Sequence, residues 1–287
     1  MTSSSGAEAC TLFDEFPEPA RSQLRAAYEE GKTRPEWCSA EGQARVAFWA
    51  PFRGADPVVT WHFDPGFDPG AGARLLTRGL RSLGVAKMIH DISLPPGLSP
   101  EVDRRVEHEA LVGAGFRMEV ERLLFEWRAG TDLPDDPGRL RYRPARELGE
   151  AEVLDLIARI AQGSLDYDTQ LELSTVGAER DAKAMYDDLI NRKAKPDWFV
   201  VGYTGDLPIG LVVPDDHSIA YIGVIPSHRG HGYVDDLLAH GTRTLAEAGI
   251  SRIVAATDMD NRPTAAAFTR AGYSEVSRLY RYYWRAS

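Results

Sequence analysis

Apolar residues along the second half of this chain recur with two periods. Val153, Leu156, Ile157 and Ile160 fall on one helical face, as do Val234, Leu237, Leu238, Gly241 and Leu245. Short runs rich in β-branched and aromatic residues lie between them: Trp198 to Tyr203, Ile209 to Val213, Ile219 to Ile225 and Ile253 to Asp258. A strand over Leu140 to Arg143, a helix over Ala178 to Asn191 and a small-residue helix after Asn261 complete the pattern. The class is mixed α/β: a central sheet flanked by helices. The first half predicts less, with a helix around Ala20 to Glu30 and strands near Ala44 to Trp49 and Val58 to Phe63, and no counterpart of the opening strand and helix.

The halves echo one another. Gly31 to Trp37 matches Arg192 to Trp198, Leu75 to Leu83 matches Leu237 to Leu245, and Ala114 to Phe116 with Glu119 to Leu123 matches Ala271 to Tyr273 with Glu275 to Leu279, in the same order. Such ordered self-similarity indicates two units of one design. We divide the chain into a tail over residues 1–17, a truncated unit over 18–130, an acidic Pro- and Gly-rich linker over 131–138 and a complete unit over 139–287.

The most informative stretch is Val224-Ile225-Pro-Ser-His-Arg229-Gly230-His231-Gly232-Tyr233-Val234, set between a strand and a helix. Glycines turn backbone N–H groups inward, and the helix start adds unpaired donors and a positive dipole end, so the turn suits a diphosphate. A nucleotide P-loop would need Lys-Ser or Lys-Thr after the glycines, and a Rossmann turn a third glycine; neither is present. The turn resembles motif A of the GNAT acyltransferase superfamily, in which Arg or Gln, two residues, Gly, one residue, and Gly or Ala grip the pyrophosphate of acyl-CoA. Here these are Arg229, Gly232 and Val234, the last larger than usual. The family's second signature matches Ile253 to Asp258 followed by Asn261, Phe268 and Gly272-Tyr273.

The resemblance implies transfer of an acetyl group from acetyl-CoA to an amine by direct attack on the thioester, with no metal. Backbone N–H groups at Val224 and Ile225 would meet the oxyanion. Ser218 stands where the family often carries a Glu base, which leaves Asp216 and His217 as candidate bases, or as no more than a polar turn. Phe268 stands where the family commonly places a Tyr acid, and it has no proton to give. The acceptor would lie near Ser164 to Glu172, where Asp166, Tyr167 and Asp168 could receive a cationic amine or simply start the next helix. A non-catalytic acyl-CoA-binding regulator is the alternative. In the first unit, Gly70 and Gly72 keep the glycine spacing, but Phe67 replaces the arginine and Pro69, Asp64 and Asp68 oppose a phosphate.

Composition narrows the partners. At 287 residues and 43% hydrophobic, the chain can fill two cores. A formal charge of -10, from 33 basic and 43 acidic side chains, argues against nucleic acid and for a small-molecule or peptide amine. The aromatic run Tyr280 to Trp284 has no basic groove beside it and reads as strand residues packed between the units. Cys10 and Cys38 are too few for a disulfide scaffold and lack metal-ligand spacing. A polar start and no apolar run of membrane-spanning length predict a soluble, cytoplasmic protein with no membrane partner. The oligomeric state is left open.

Overall fold

The computed structural model describes residues 13–51, 53–192 and 195–286. Cys10 and most of the predicted tail lie outside them. The chain divides into two compact units, Met1–Glu121 with Leu279–Ser287, and Arg122–Arg278. The division falls inside two strands rather than at residues 131–138.

In the first unit, α1 (Ala20–Glu29) is followed by β1 (Cys38–Glu41), β2 (Ala44–Trp49), β3 (Val59–Asp64), α2 (Pro69–Leu83), β4 (Lys87–Leu94), the short α3 (Pro100–Asp103) and α4 (Arg105–Gly113). β1, β2 and β3 pair antiparallel, and β3 meets β4 in parallel at Val59 and Ile89. Val46, Phe48, Leu75, Leu76, Leu80, Met88 and Leu111 fill its core, where Tyr280 and Tyr282 also lie. The strand β5 (Arg117–Arg128) begins in this unit and β11 (Ser274–Arg285) ends in it. Burial pushes the Cys38 thiol up to about 12, with Glu36 adding to the rise and Thr33 opposing it.

The second unit follows the predicted order with one helix added: β6 (Arg141–Pro144), α5 (Glu150–Ala161), the added α6 (Tyr167–Thr175), α7 (Ala178–Asn191), β7 (Val200–Thr204), β8 (Leu207–Pro214), β9 (Ile219–Val224), α8 (Tyr233–Glu247), β10 (Arg252–Asp258) and α9 (Arg262–Arg270). β6 to β9 form an antiparallel meander in chain order. Its strands are apolar on both faces because both are covered. Val201, Leu211 and Val213 pack on α5 and α7 through Ile157, Ile160 and Leu189, while Val200 and Val212 pack on α8 and α9 through Leu237, Leu238 and Phe268. Gly241 lets α8 come close, since a Cβ there would sit 2.9 Å from a Val212 methyl.

β10 pairs antiparallel with Arg122–Arg128 of β5, which gives this core Leu123, Phe125 and Trp127. Residues 131–138 are anchored in the same unit: the Trp127 indole N–H donates to the Asp132 carbonyl (3.3 Å) and Arg243 donates to that of Pro134 (2.8 Å). Among the described residues, no helix is long and apolar enough to cross a membrane.

Candidate active site

β9 and β10 are parallel neighbours that touch at one point. Ser218 bridges Val254, and the Val254 N–H donates to the His217 carbonyl (3.0 Å). Beyond that bridge both strands line a cleft of about 920 Å³, β9 through Ile219 to Val224 and β10 through Val254 to Thr257. The direction of β9's donors follows from its other edge. Ile225 donates its N–H to the Ile209 carbonyl (2.9 Å) in the ladder with β8. Backbone groups alternate along a strand, so the N–H groups of Val224 and Ile222 point the opposite way, toward the opening. This corrects the expectation for Ile225, whose N–H is already used, and adds Ile222, whose part becomes visible only once the ladder's phase is known.

The glycine turn closes the cleft at the far end of β9. Gly230 and Gly232 have φ of 79° and 77°, values that favour glycine, and Gly232 caps α8. Two arginines brace this end of the cleft, one by the carbonyls of the turn and the other by those beside it. Arg229 donates to the carbonyls of Val224 (3.0 Å), Gly163 (2.8 Å) and Ile160 (2.7 Å), tying the end of α5 to the end of β9. The charge expected from Arg229 is thus engaged by backbone carbonyls. Arg139 donates to the carbonyls of His231 and Gly232, both at 3.0 Å, pairs with the fully buried Asp236 and lies 5.1 Å from the Tyr233 ring centre. With the His231 and Gly232 carbonyls drawn to Arg139, and the Arg229 and Asp235 N–H groups bonded to Pro226 and Gly232, the N–H groups from Gly230 to Val234 are left for an anion, so the turn fits a diphosphate through backbone donors. Sequence reasoning missed Arg139 because nothing in its neighbourhood signals a partner 97 positions away.

Val224, Arg229, Gly230, Gly232, Tyr233, Val234, Asn261 and Phe268 all line the cleft. His231 is exposed and sits over its own turn, Nδ1 lying 3.0 Å from the Arg229 carbonyl. Phe268 is 1% exposed, 5.3 Å from the Phe125 ring centre and 5.5 Å from that of Tyr273.

On the acceptor side, the segment expected to offer free carboxylates is the start of α6. Asp166 caps that helix through the Thr169 N–H (2.9 Å). Arg122, also unforeseen, gathers Asp166 (3.4 Å), Asp168 (3.3 Å) and Asp258 (2.7 Å). Asp258 in turn accepts the Tyr167 N–H (2.7 Å). Asp166 and Asp168 line the cleft; Tyr167 is held there by its backbone.

The Asp216–His217 pair does not reach the cleft. The two side chains are exposed and bonded to each other. Beneath them Asp215 organises a turn by accepting the N–H groups of His217 (3.2 Å) and Ser218 (2.9 Å) and the Ser218 hydroxyl (2.8 Å). Burial pushes the Asp215 carboxyl up, but these bonds and Arg192 together hold it below its ordinary value. The polar-turn alternative describes this segment. The phenol that does line the cleft is Tyr221, which burial pushes well above its ordinary range, with Asp181 and Asp166 adding to the rise.

Residues 165–273 match the model of the Acetyltransferase (GNAT) family. The matched segment, a GNAT acetyltransferase domain, lies in the second unit. It is 29% identical over 97 residues to N-alpha-acetyltransferase 30 of Schizosaccharomyces pombe, a match covering 31% of this chain and 65% of that protein. The fold is also that of a GCN5-related N-acetyltransferase from Sphaerobacter thermophilus, with a TM-score of 0.59 and 14% identity over 96% of this chain and 89% of that one. A tandem GNAT protein from the clavulanic acid biosynthesis pathway gives 0.54 and 12%, over 98% and 96%.

Proposed function

We propose that the second unit transfers an acetyl group from acetyl-CoA to an amine, either a small molecule or the exposed amino group of a peptide. The observation that carries this reading is the parting of β9 from β10 beside a glycine turn whose carbonyls are held by Arg139, with Arg229 bracing the end of β9. The turn receives the pyrophosphate. The extended arm of the cofactor lies between the parted strands, and the Val224 and Ile222 N–H groups face the thioester oxygen as negative charge develops on it. Collapse of the tetrahedral intermediate breaks the C–S bond, expels the CoA thiolate and leaves the amide, which needs no metal, only proton transfers. The first unit is a degenerate copy that supports the fold and binds no CoA.

Calorimetry with acetyl-CoA should give micromolar affinity, roughly -8 kcal/mol. Release of CoA thiol should then depend on an added amine. Because Phe268 supplies no acid, a non-catalytic acyl-CoA sensor is the second reading, and it predicts binding without thiol release. A silent titration with folded protein sinks both.

A further inference from the structure

One carboxylate beside the cleft has nothing to hold it there. Asp181, in the first turn of α7, is 7% exposed, and among the described residues no hydrogen-bond or ion-pair partner meets its side chain. The helix dipole favours an acid in the first turn. The Asp181 oxygens are not among the sealed, partnerless side-chain atoms of the described residues, so they remain open to an incoming group. A carboxylate largely withdrawn from water gains from a cation there.

The helix shows where the side chain lies. Met185, Asp188 and Arg192, one, two and three turns further on, all line the cleft, so Asp181 heads the stripe of α7 that faces it. Tyr221, from β9, packs into the same cluster as Met185 and also lines the cleft. Burial pushes the Asp181 carboxyl above its ordinary value, and Glu172 and Asp166 add to the rise. A buried carboxylate with a raised proton affinity, beside a cleft and lacking a partner, is suited to meeting an ammonium group.

We propose that Asp181 receives the acceptor's ammonium group in the cleft and takes its proton, which makes the acceptor a cationic amine rather than an alcohol or a neutral amide. This rests on the transferase reading above. One ammonium proton passes to the Asp181 carboxylate and later to solvent. The freed lone pair attacks the thioester carbon, a C–N bond forms and the C–S bond breaks. The nitrogen's second surplus proton goes to the leaving sulfur through the neutral Tyr221 phenol. The products are the amide, CoA thiol and one proton.

The test is Asp181→Asn in the full chain, with spermidine, tyramine and a free-N-terminus tetrapeptide as probe amines and Asp187→Asn on the same helix as control. Asp181→Asn should hold acetyl-CoA affinity within twofold and keep or raise the Tm, because a buried unpaired charge becomes a neutral amide of the same shape. Turnover should fall at least about a hundredfold. In the parent, kcat/KM should drop as acidification protonates Asp181, and this limb should be absent from the residual activity of the variant. A Tm lowered by several degrees shows a structural role and overturns the assignment. So does transfer by the parent that Asp181→Asn retains. A parent that binds acetyl-CoA but acetylates none of the probes sinks the transferase reading, and this assignment with it.

Discussion

Both units place a glycine turn and a helix after a strand that meets its parallel neighbour at a single point, yet one opening is lined and the other is filled. In the second unit β9 and β10 part to line a cleft, and Arg139 holds the carbonyls of the turn. In the first, carboxylates occupy the N–H groups that a phosphate would need: Asp64 accepts from Gly66 (2.8 Å) and Asp68 from Gly70 (2.9 Å). A Cβ at Gly72 would lie 2.6 Å from that of Pro65, so this turn is pressed against α2. Between β3 and β4, His90 reaches across, Nδ1 lying 3.3 Å from the Thr60 carbonyl and Nε2 3.0 Å from Glu107. Arg104 makes a charge contact with the other Glu107 oxygen at 2.5 Å. Glycine spacing therefore survives in both units. What differs is which group takes the N–H donors and which takes the carbonyls.

The strongest way to break this comparison is to cut the chain where the repeat suggests. A fragment of residues 139–287 keeps the glycine turn and Asn261 but lacks Arg122–Arg128, and with them the pairing of β10 and the buried Leu123, Phe125 and Trp127. Burial of three such side chains is worth roughly 6 kcal/mol or more, comparable to the whole stability of many domains. Circular dichroism should show no cooperative melt for this fragment and a clear one for residues 117–287. Equal melting would show that β5 is dispensable to the second unit.

Next in size is the removal of the plug from the first unit. His90→Ala leaves Glu107, 6% exposed, without its ring partner, and should cost about 2–4 kcal/mol in denaturant unfolding of the full chain. It should create no CoA site, because Asp64 and Asp68 still occupy the turn. A second equivalent of acetyl-CoA bound by His90→Ala would show that the plug alone separates the two halves.

Much of this architecture was legible in the residues. The helix over Ala178–Asn191, the strand over Ala44–Trp49 and the order of elements in the second unit follow from periodicity, since each buries a regular face. The cradle was legible because its chemistry is written in consecutive glycines. The partners of the charged side chains were not. Arg122 and Arg139 owe their partners to residues distant in sequence, and neither spacing nor composition records such pairings. The same holds for Ile225: its place beside the turn was clear, but the direction of its N–H depends on the phase of the β8 ladder.

A smaller effect comes from placing a carboxylate in each turn. Gly232→Asp puts one against the donors of the open turn and should weaken acetyl-CoA binding at least tenfold, about 1.4 kcal/mol. Gly70→Asp adds charge to a turn already occupied and should leave affinity unchanged. Gly232 has φ of 77°, so both variants must first melt cooperatively near the parent temperature. Equal losses in two folded variants would mean that the first unit binds CoA after all.

The smallest expected effect separates catalysis from binding within the open half. Phe268→Tyr adds a hydroxyl to a ring that is 1% exposed and lines the cleft, packed between Phe125 and Tyr273. The ring volume barely changes, so stability should shift by less than about 1.5 kcal/mol, provided the hydroxyl finds the cleft. Acetyl-CoA affinity should stay within about threefold, some 0.6 kcal/mol. Turnover should be kept or raised, because the new phenol would stand where family resemblance places the acid that protonates the departing thiolate. If Tyr221 already supplies that proton, the gain will be slight and a Tyr221→Phe change will make it large. A fall in turnover with folding and affinity intact would show that the apolar face of Phe268 shapes the path of the thioester, and that this position carries no acid role in this chain.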